Sequence, residues 1–389
     1  MVILSKKEKN IFSRYKELKE NSGSHSPSIF TIKNAIEDIT IKVDACFLSN
    51  PYATDLFINR FNNEIIDNFR LREILEYYPS QNLEIGKLLS DRLQVSKESI
   101  IIGNGAIEII QALLHNFVST NLVICIPTFS SYYEFIKPNT KVLFFKLQKE
   151  NDFLFDKESY LKFIETHKAK NAVLINPNNP NGGYINFEDL QVLLGELSHL
   201  ENIIIDESFI HFAYESTDKS MINYHALFKQ FSNVSLVKSM SKDFGIAGVR
   251  CGYGLLNPSK IDGLLGNGYL WNSNGISEYF FNLFYEDKFY KEYQKVRIKY
   301  LNEMSFFKSE LRKIKKIKTY PSNANFILVE LLDGSTADIF AAKMLINYGI
   351  YMRSCSDKLG LDGEFLRIAS RSKKENLMII KAFKDIFNS

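Results

Sequence analysis

One lysine, Lys242, stands between two hydroxyls and a glycine-flanked arginine in Ser239-Met240-Ser241-Lys242-Asp243-Phe244-Gly245-Ile246-Ala247-Gly248-Val249-Arg250. A lysine amine condenses with an aldehyde to a Schiff base, and serine hydroxyls with a guanidinium hold a phosphate dianion. Pyridoxal phosphate carries both an aldehyde and a phosphate, so the segment reads as its anchoring lysine with half of a phosphate cup. The plainer reading is a surface lysine and arginine around a glycine-containing loop.

Four further segments have residue types suited to the rest of such a site. Gly103-Asn104-Gly105-Ala106-Ile107-Glu108 follows an apolar run and opens a helix predicted over Ala106–Phe117. Free amides at a helix N-terminus favour an anion, and glycine lets the backbone approach it. A dinucleotide site is the alternative, but the third glycine of its fingerprint is missing; a tight strand–helix turn is the other. Phe129, in Pro127-Thr128-Phe129-Ser130-Ser131-Tyr132, is placed to lie over a planar ring, or to pack in the core. Asn179, in the rigid turn Asn176-Pro177-Asn178-Asn179-Pro180-Asn181-Gly182, can donate its amide to a phenolate oxygen, or simply serve the turn. Asp206 closes the apolar run Ile203–Ile205. A carboxylate there is costly without a cation, and a protonated pyridine nitrogen is one; a helix N-cap is the competing role.

These segments need a scaffold that brings strand ends together. Apolar, β-branched runs at 99–102, 122–126, 142–145, 172–175, 203–206 and 234–237 alternate with helical stretches such as 189–200. That alternation predicts an α/β unit with a mostly parallel sheet. A long charged helix at 288–313, strands at 325–331, 350–353 and 365–369, and a last helix at 373–387 predict a smaller α+β unit. The expected divisions are an arm with a short helix at 1–46, a large unit at 47–285 and a small one at 286–389.

The 389 residues are 45% hydrophobic and 24% charged, with net charge +3, which gives no argument for nucleic acid. The four cysteines form no CxxC pair, so neither a disulfide framework nor a metal site is expected, and a cytoplasmic location fits. The N-terminus turns charged after four residues, unlike a signal peptide, and no apolar run approaches the ~20 residues of a membrane helix.

The ordered set Gly103-Asn104-Gly105, Pro127-Thr128-Phe129, Asn178-Asn179-Pro180, Asp206-Glu207, Ser241-Lys242 with Arg250, and Leu366-Arg367-Ile368 resembles fold type I, the aspartate-aminotransferase-like pyridoxal phosphate enzymes. Within that fold it looks like the branch of histidinol-phosphate aminotransferase and threonine-phosphate decarboxylase, over roughly residues 47–389. The resemblance implies that Lys242 is the Schiff-base lysine and that Asp206 pairs with the pyridine nitrogen. It implies that Asn179 bonds the 3′-oxygen, and that Gly105, Ala106, Ile107, Ser239, Ser241 and Arg250 hold the cofactor phosphate. Tyr78, in Tyr77-Tyr78-Pro79, matches a tyrosine reaching the neighbouring subunit's cofactor, which implies a homodimer. Arg367 matches the arginine that takes the substrate's anionic end.

Phe209 stands where these aminotransferases usually have a tyrosine, and a phenylalanine cannot donate to the 3′-oxygen. The decarboxylase is similar in having phenylalanine there, in the context Asp206-Glu207-Ser208-Phe209-Ile210-His211-Phe212. Its C-terminal stretch also resembles Arg353-Ser354-Cys355 and Arg367-Ile368-Ala369-Ser370-Arg371. Arg353, Arg367 and Arg371 then form a cluster suited to a small substrate bearing phosphate and carboxylate. The decarboxylase's N-terminal phosphate loop is matched only by the histidine in His25-Ser26-Pro27-Ser28; His25 and Asn50, which precedes Pro51, join the expected substrate contacts, with an exposed arm residue as the alternative for His25. The expected activity is decarboxylation of L-serine phosphate or L-threonine phosphate. An aminotransferase on a phosphorylated substrate is the competing reading. A transcription regulator built on the same fold is a third, weakened because residues 1–46 lack a helix-turn-helix pattern.

Overall fold

The structure is a computed structural model and describes residues 2–269 and 272–388. Strand β1 (Val43–Ala45) belongs to the smaller of two sheets. The larger sheet contains β2 (Ile100–Asn104), β3 (Asn121–Ile126), β4 (Lys141–Lys146), β5 (Asn171–Ile175), β6 (Asn202–Asp206), β7 (Val234–Ser239) and β8 (Cys251–Leu255). Their order is β2-β8-β7-β6-β5-β3-β4. From β7 to β4 every pairing is parallel; β8 alone runs antiparallel to both of its neighbours. The strands β5, β6 and β7 are buried throughout or nearly so, as continuous apolar runs covered on both faces require. The sheet is the mixed, mostly parallel one the sequence predicts.

The smaller sheet adds β9 (Ile317–Thr319), β10 (Phe326–Leu331), β11 (Ile350–Ser354) and β12 (Phe365–Ala369), in the order β1-β11-β12-β10-β9. Helices Ala337–Tyr348 and Lys373–Asn388 supply Phe340, Met344, Ile379 and Phe383 to its core. The 25-residue helix Asp287–Leu311 runs between the units and buries residues in the cores of both.

The first 46 residues are more ordered than a short helix and an arm. Helix Lys6–Asn21 starts in a capping box, with Ser5 Oγ accepting from the Glu8 amide and the Glu8 carboxylate accepting from the Ser5 amide. Its apolar face, Ile11 and Tyr15, packs with Leu345 and Tyr351 of the smaller unit. Lys19 binds Asp338 at 2.7 Å and Glu8 binds Lys343 at 2.8 Å. After the helix the chain turns through residues 22–28 into the space between the two sheets, where Tyr351 donates to the Pro27 carbonyl at 2.8 Å.

Candidate active site

A cavity of about 410 Å³ opens where β6 and β7 end and where β11 and β12 face them. That is the size of a small-molecule pocket, beyond the carboxyl ends of parallel strands. Lys242 lines it, in the turn after β7. The turn is fixed from behind. Asp243, fully buried, binds Lys238 Nζ at 2.6 Å and His211 Nδ1 at 2.5 Å, while the Asn50 amide donates to the Lys242 carbonyl at 2.9 Å. Burial, then the positive charge of Arg367 and Arg250, pushes the Lys242 ammonium down to about 8.

Asp206, the last residue of β6, lies 5% exposed in the cavity wall. Tyr132 donates to its Oδ2 at 3.0 Å and the Ser208 amide to its Oδ1 at 2.9 Å. Burial raises its pKa despite these bonds. A buried carboxylate of this kind is suited to a cationic partner such as a protonated ring nitrogen. Phe129 also lines the cavity, with its ring 5.9 Å from that of His25.

One end of the cavity is built from a helix start and a guanidinium. Gly105 caps helix Ala106–Phe117 with φ +78°, and a Cβ there would come within 2.6 Å of Arg250 Nη2. Glycine is therefore required twice, by the backbone and by the approach of Arg250. Ala106, Ile107, Ser239, Ser241 and Arg250 line this end together. Helix amides, two hydroxyls and a guanidinium match a phosphate dianion. Amine, ring-level carboxylate and phosphate cradle thus occur in one cavity, and the residues fit pyridoxal phosphate. Among the described residues no group of three or more His, Cys, Asp or Glu side chains is placed to hold a metal ion.

The smaller unit supplies the opposite wall. Arg367, on β12, donates to Asn179 Oδ1 and to the Cys46 carbonyl, each at 2.8 Å, and among the described residues its buried Nε has no hydrogen bond. Arg353, on β11, donates to the Ser24 carbonyl at 2.8 Å and pairs with Asp357 at 2.5 Å. His25 lies in the wall, 3.9 Å from Glu134, its pKa lowered by burial. Phe209 is buried with its ring edge-on to Phe326 at 5.1 Å.

Four expected residues stand outside this cavity lining: Gly105, the helix cap described above, and Arg371, Asn50 and Tyr78. Arg371 donates to the Ser49 carbonyl at 2.8 Å and lies 3.6 Å from Glu375. Asn50 caps helix Pro51–Phe61, accepting from the Tyr52 amide at 3.1 Å, with its buried Nδ2 lacking a hydrogen bond. Tyr78 is 90% exposed. Conversely, Ser24, Cys46 and Lys358 line the cavity, and Tyr132 supports Asp206, although sequence reading gave them no role. Tyr132 had one available signal, its place in the Pro127–Tyr132 segment at a strand end. Lys358 had none beyond lying between two arginine-bearing strands.

Fold and cavity together define a lysine-anchored pyridoxal phosphate protein with an aminotransferase-like architecture. The chain belongs to the aminotransferase class I and II family, whose model matches residues 52–383. It is 55% identical over 387 residues to L-serine phosphate decarboxylase of Campylobacter jejuni subsp. jejuni serotype O:2, covering 100% of this chain and 99% of that one. It is 46% identical over 369 residues to L-serine phosphate decarboxylase of Sulfurospirillum multivorans, covering 95% and 94%. The solved structure of a decarboxylase from Sulfurospirillum multivorans superposes with TM-score 0.94 at 44% identity, covering 98% of this chain and 97% of that one.

Proposed function

We propose that the protein is a pyridoxal phosphate-dependent decarboxylase that converts L-serine phosphate to ethanolamine phosphate and carbon dioxide. The observation that carries this reading is the pair of cross-strand arginines, Arg353 and Arg367, in the wall facing Lys242. They offer two anion handles beyond the one at the cofactor phosphate cradle. The names of the two similar proteins narrow the substrate to L-serine phosphate, with L-threonine phosphate as the comparison.

The bound cofactor supplies an electron sink for the pair left when the Cα–carboxylate bond breaks. The chain's own groups decide which bond breaks. Arg367 and Arg353 hold the two anionic ends, so the rotation about Cα is fixed by side chains at the far wall. That grip would select which of the bonds at Cα is presented for cleavage, and decarboxylation requires it to present the bond to the carboxylate. Asp206 would hold the ring nitrogen and favour its protonated form. Lys242 Nζ would hold the cofactor through its aldehyde and, freed by substrate, would be the amine placed to carry a proton at Cα. Asn179 is oriented by its bond to Arg367. Phe209 has no hydroxyl to donate, which leaves the 3′-oxygen with fewer partners than in a tyrosine-bearing site.

Three coarser assignments accompany this reading. A homodimer, with Tyr78 reaching the partner's cofactor, is supported by the exposed apolar side chains of Phe69, Leu75 and Tyr77 close to it in sequence. A cytoplasmic location is supported by four free cysteines. The proposed division falls at 46/47 and 285/286, with β1 tying the arm to the smaller sheet.

Incubation of purified protein with L-serine phosphate, without any keto acid, tests the function. Stoichiometric carbon dioxide and ethanolamine phosphate are expected, with none from Lys242→Ala. Conversion of the cofactor to its amine form, reversed only by a keto acid, would overturn decarboxylation in favour of amino transfer.

A further inference from the structure

The outer wall of the cavity holds more positive charge than the cofactor requires. β11 and β12 run antiparallel with Arg353 and Arg367 as direct partners. Like charges opposite one another on adjacent strands repel. Arg353 is matched by Asp357 at 2.5 Å, while among the described residues Arg367 is held by neutral oxygens alone. A third cation, Lys358, enters the same wall from the turn after β11. It is partly buried, and among the described residues its ammonium has no hydrogen bond or ion pair. Burial, then the guanidinium of Arg353, lowers its pKa, as expected for a cation without its counter-ion. The arm roofs this corner: Ser24 joins Arg353 through its carbonyl and Ser130 through its hydroxyl at 2.7 Å.

We propose that Lys358 is the specificity-determining residue for the substrate's phosphate dianion, gripping it with Arg353 beneath the turn Ser24–His25–Ser26, while Arg367 takes the carboxylate. The assignment rests on the functional reading above and refines it. An ammonium on a flexible stem is a point charge suited to a rounded dianion. The guanidinium of Arg367, anchored through two nitrogens and with its buried Nε unbonded, suits a planar carboxylate. Arg371, whose guanidinium is engaged by Ser49 and Glu375, is replaced in this role by Lys358. A substrate with a neutral tail leaves Lys358 without an anion beside an Arg353 that Asp357 already matches, and so is disfavoured.

Ethanolamine phosphate keeps the amine and the phosphate and lacks the carboxylate, so the difference between its calorimetric titrations into wild-type and variant holoenzyme reports on this corner. Lys358→Met is expected to weaken it about ten- to hundredfold, the worth of one charge-assisted hydrogen bond. The KM for L-serine phosphate should rise in parallel, by more than kcat falls. Lys358→Arg should recover most of the loss, and the cofactor's dissociation constant should match the wild type in both variants. Equal affinity for ethanolamine phosphate in wild type and Lys358→Met would overturn the assignment. The titration needs no turnover: a chain that releases no carbon dioxide from L-serine phosphate sinks the functional reading, while the titration still decides the lysine.

Discussion

To attack an aldehyde in the proposed role Lys242 must be neutral, and its surroundings bring that form within reach near physiological pH. An ordinary lysine has a pKa of about 10.4; burial foremost, then Arg367 and Arg250, bring this one down to about 8. Depressing the pKa of a base enlarges its neutral fraction at every pH below the ordinary value. Attachment of pyridoxal phosphate to apoprotein, trapped with borohydride and read as the mass of the Lys242 peptide, should therefore accelerate with a midpoint near pH 8. A midpoint near 10.4 would show that the ammonium is solvated and that the cavity does not desolvate it. Asp206 was legible in the sequence because it closes the apolar run Ile203–Ile205, and Lys242 and Arg250 because they share one segment with two hydroxyls and two glycines, whereas Arg367 was reached only through the family resemblance. Lys358 and Ser24 were not legible. Their place in the wall depends on a cross-strand register and on a turn that crosses from the arm, and neither leaves a local pattern.

The element that presents Lys242 is the turn between β7 and β8, and its stiffness comes from the buried face opposite the cavity. Residues alternate between the two sides: Asp206, Ser239 and Lys242 line the cavity, whereas Glu207, Lys238 and Asp243 are buried away from its lining. Asp243 neutralises Lys238 and binds His211, which also meets the Tyr293 hydroxyl at 3.1 Å. Lys238 and His211 lower the Asp243 pKa to about 2 against the opposing effect of burial, the largest single influence on it. Asp243→Ala leaves the Lys238 ammonium buried and unpaired, and should cost about 3–5 kcal/mol of stability. Replacing both partners, Lys238→Met with Asp243→Leu, should recover much of that loss, because the desolvated charge is removed along with its partner. Urea unfolding at neutral pH checks both; a single variant as stable as the wild type would mean the pair contributes nothing. The sign with pH follows from the lowered pKa: the Asp243 contribution is full above about pH 4 and is lost as the pH falls towards 2. The parallel strands were readable as continuous apolar runs, but β8 was not. In Cys251-Gly252-Tyr253-Gly254-Leu255 glycines occupy alternate positions, and such a run has little strand propensity of its own. It is a strand because β2 and β7 supply partners on both sides. The three-residue strands β1 and β9 likewise exist through their neighbours.

At the scale of the molecule, the cavity has a wall from each sheet and a roof from the arm, so no single unit completes it. The same logic extends to a second copy. Between residues 66 and 83 the chain exposes Phe69 at 92%, Leu75 at 70% and Tyr77 at 69%, in a stretch that includes the short helix Leu71–Glu76, which buries none of its residues. A single chain gains nothing from placing these side chains in water. Burying them against a twin would recover about 25 cal/mol for each Å² of apolar surface removed, and would carry Tyr78 away from its own cavity towards the partner's. Leu75→Asp puts a charge into that surface, where it must be desolvated without a partner. Sedimentation should give a dimer for the wild type and a monomer for the variant. If Tyr78 completes the phosphate cradle across the interface, the monomer should also hold pyridoxal phosphate at least tenfold more weakly, about the worth of one hydrogen bond to a charged group. A wild-type chain that sediments as a monomer with full cofactor affinity would show that the cavity is complete within one chain and that the exposed stretch serves something else.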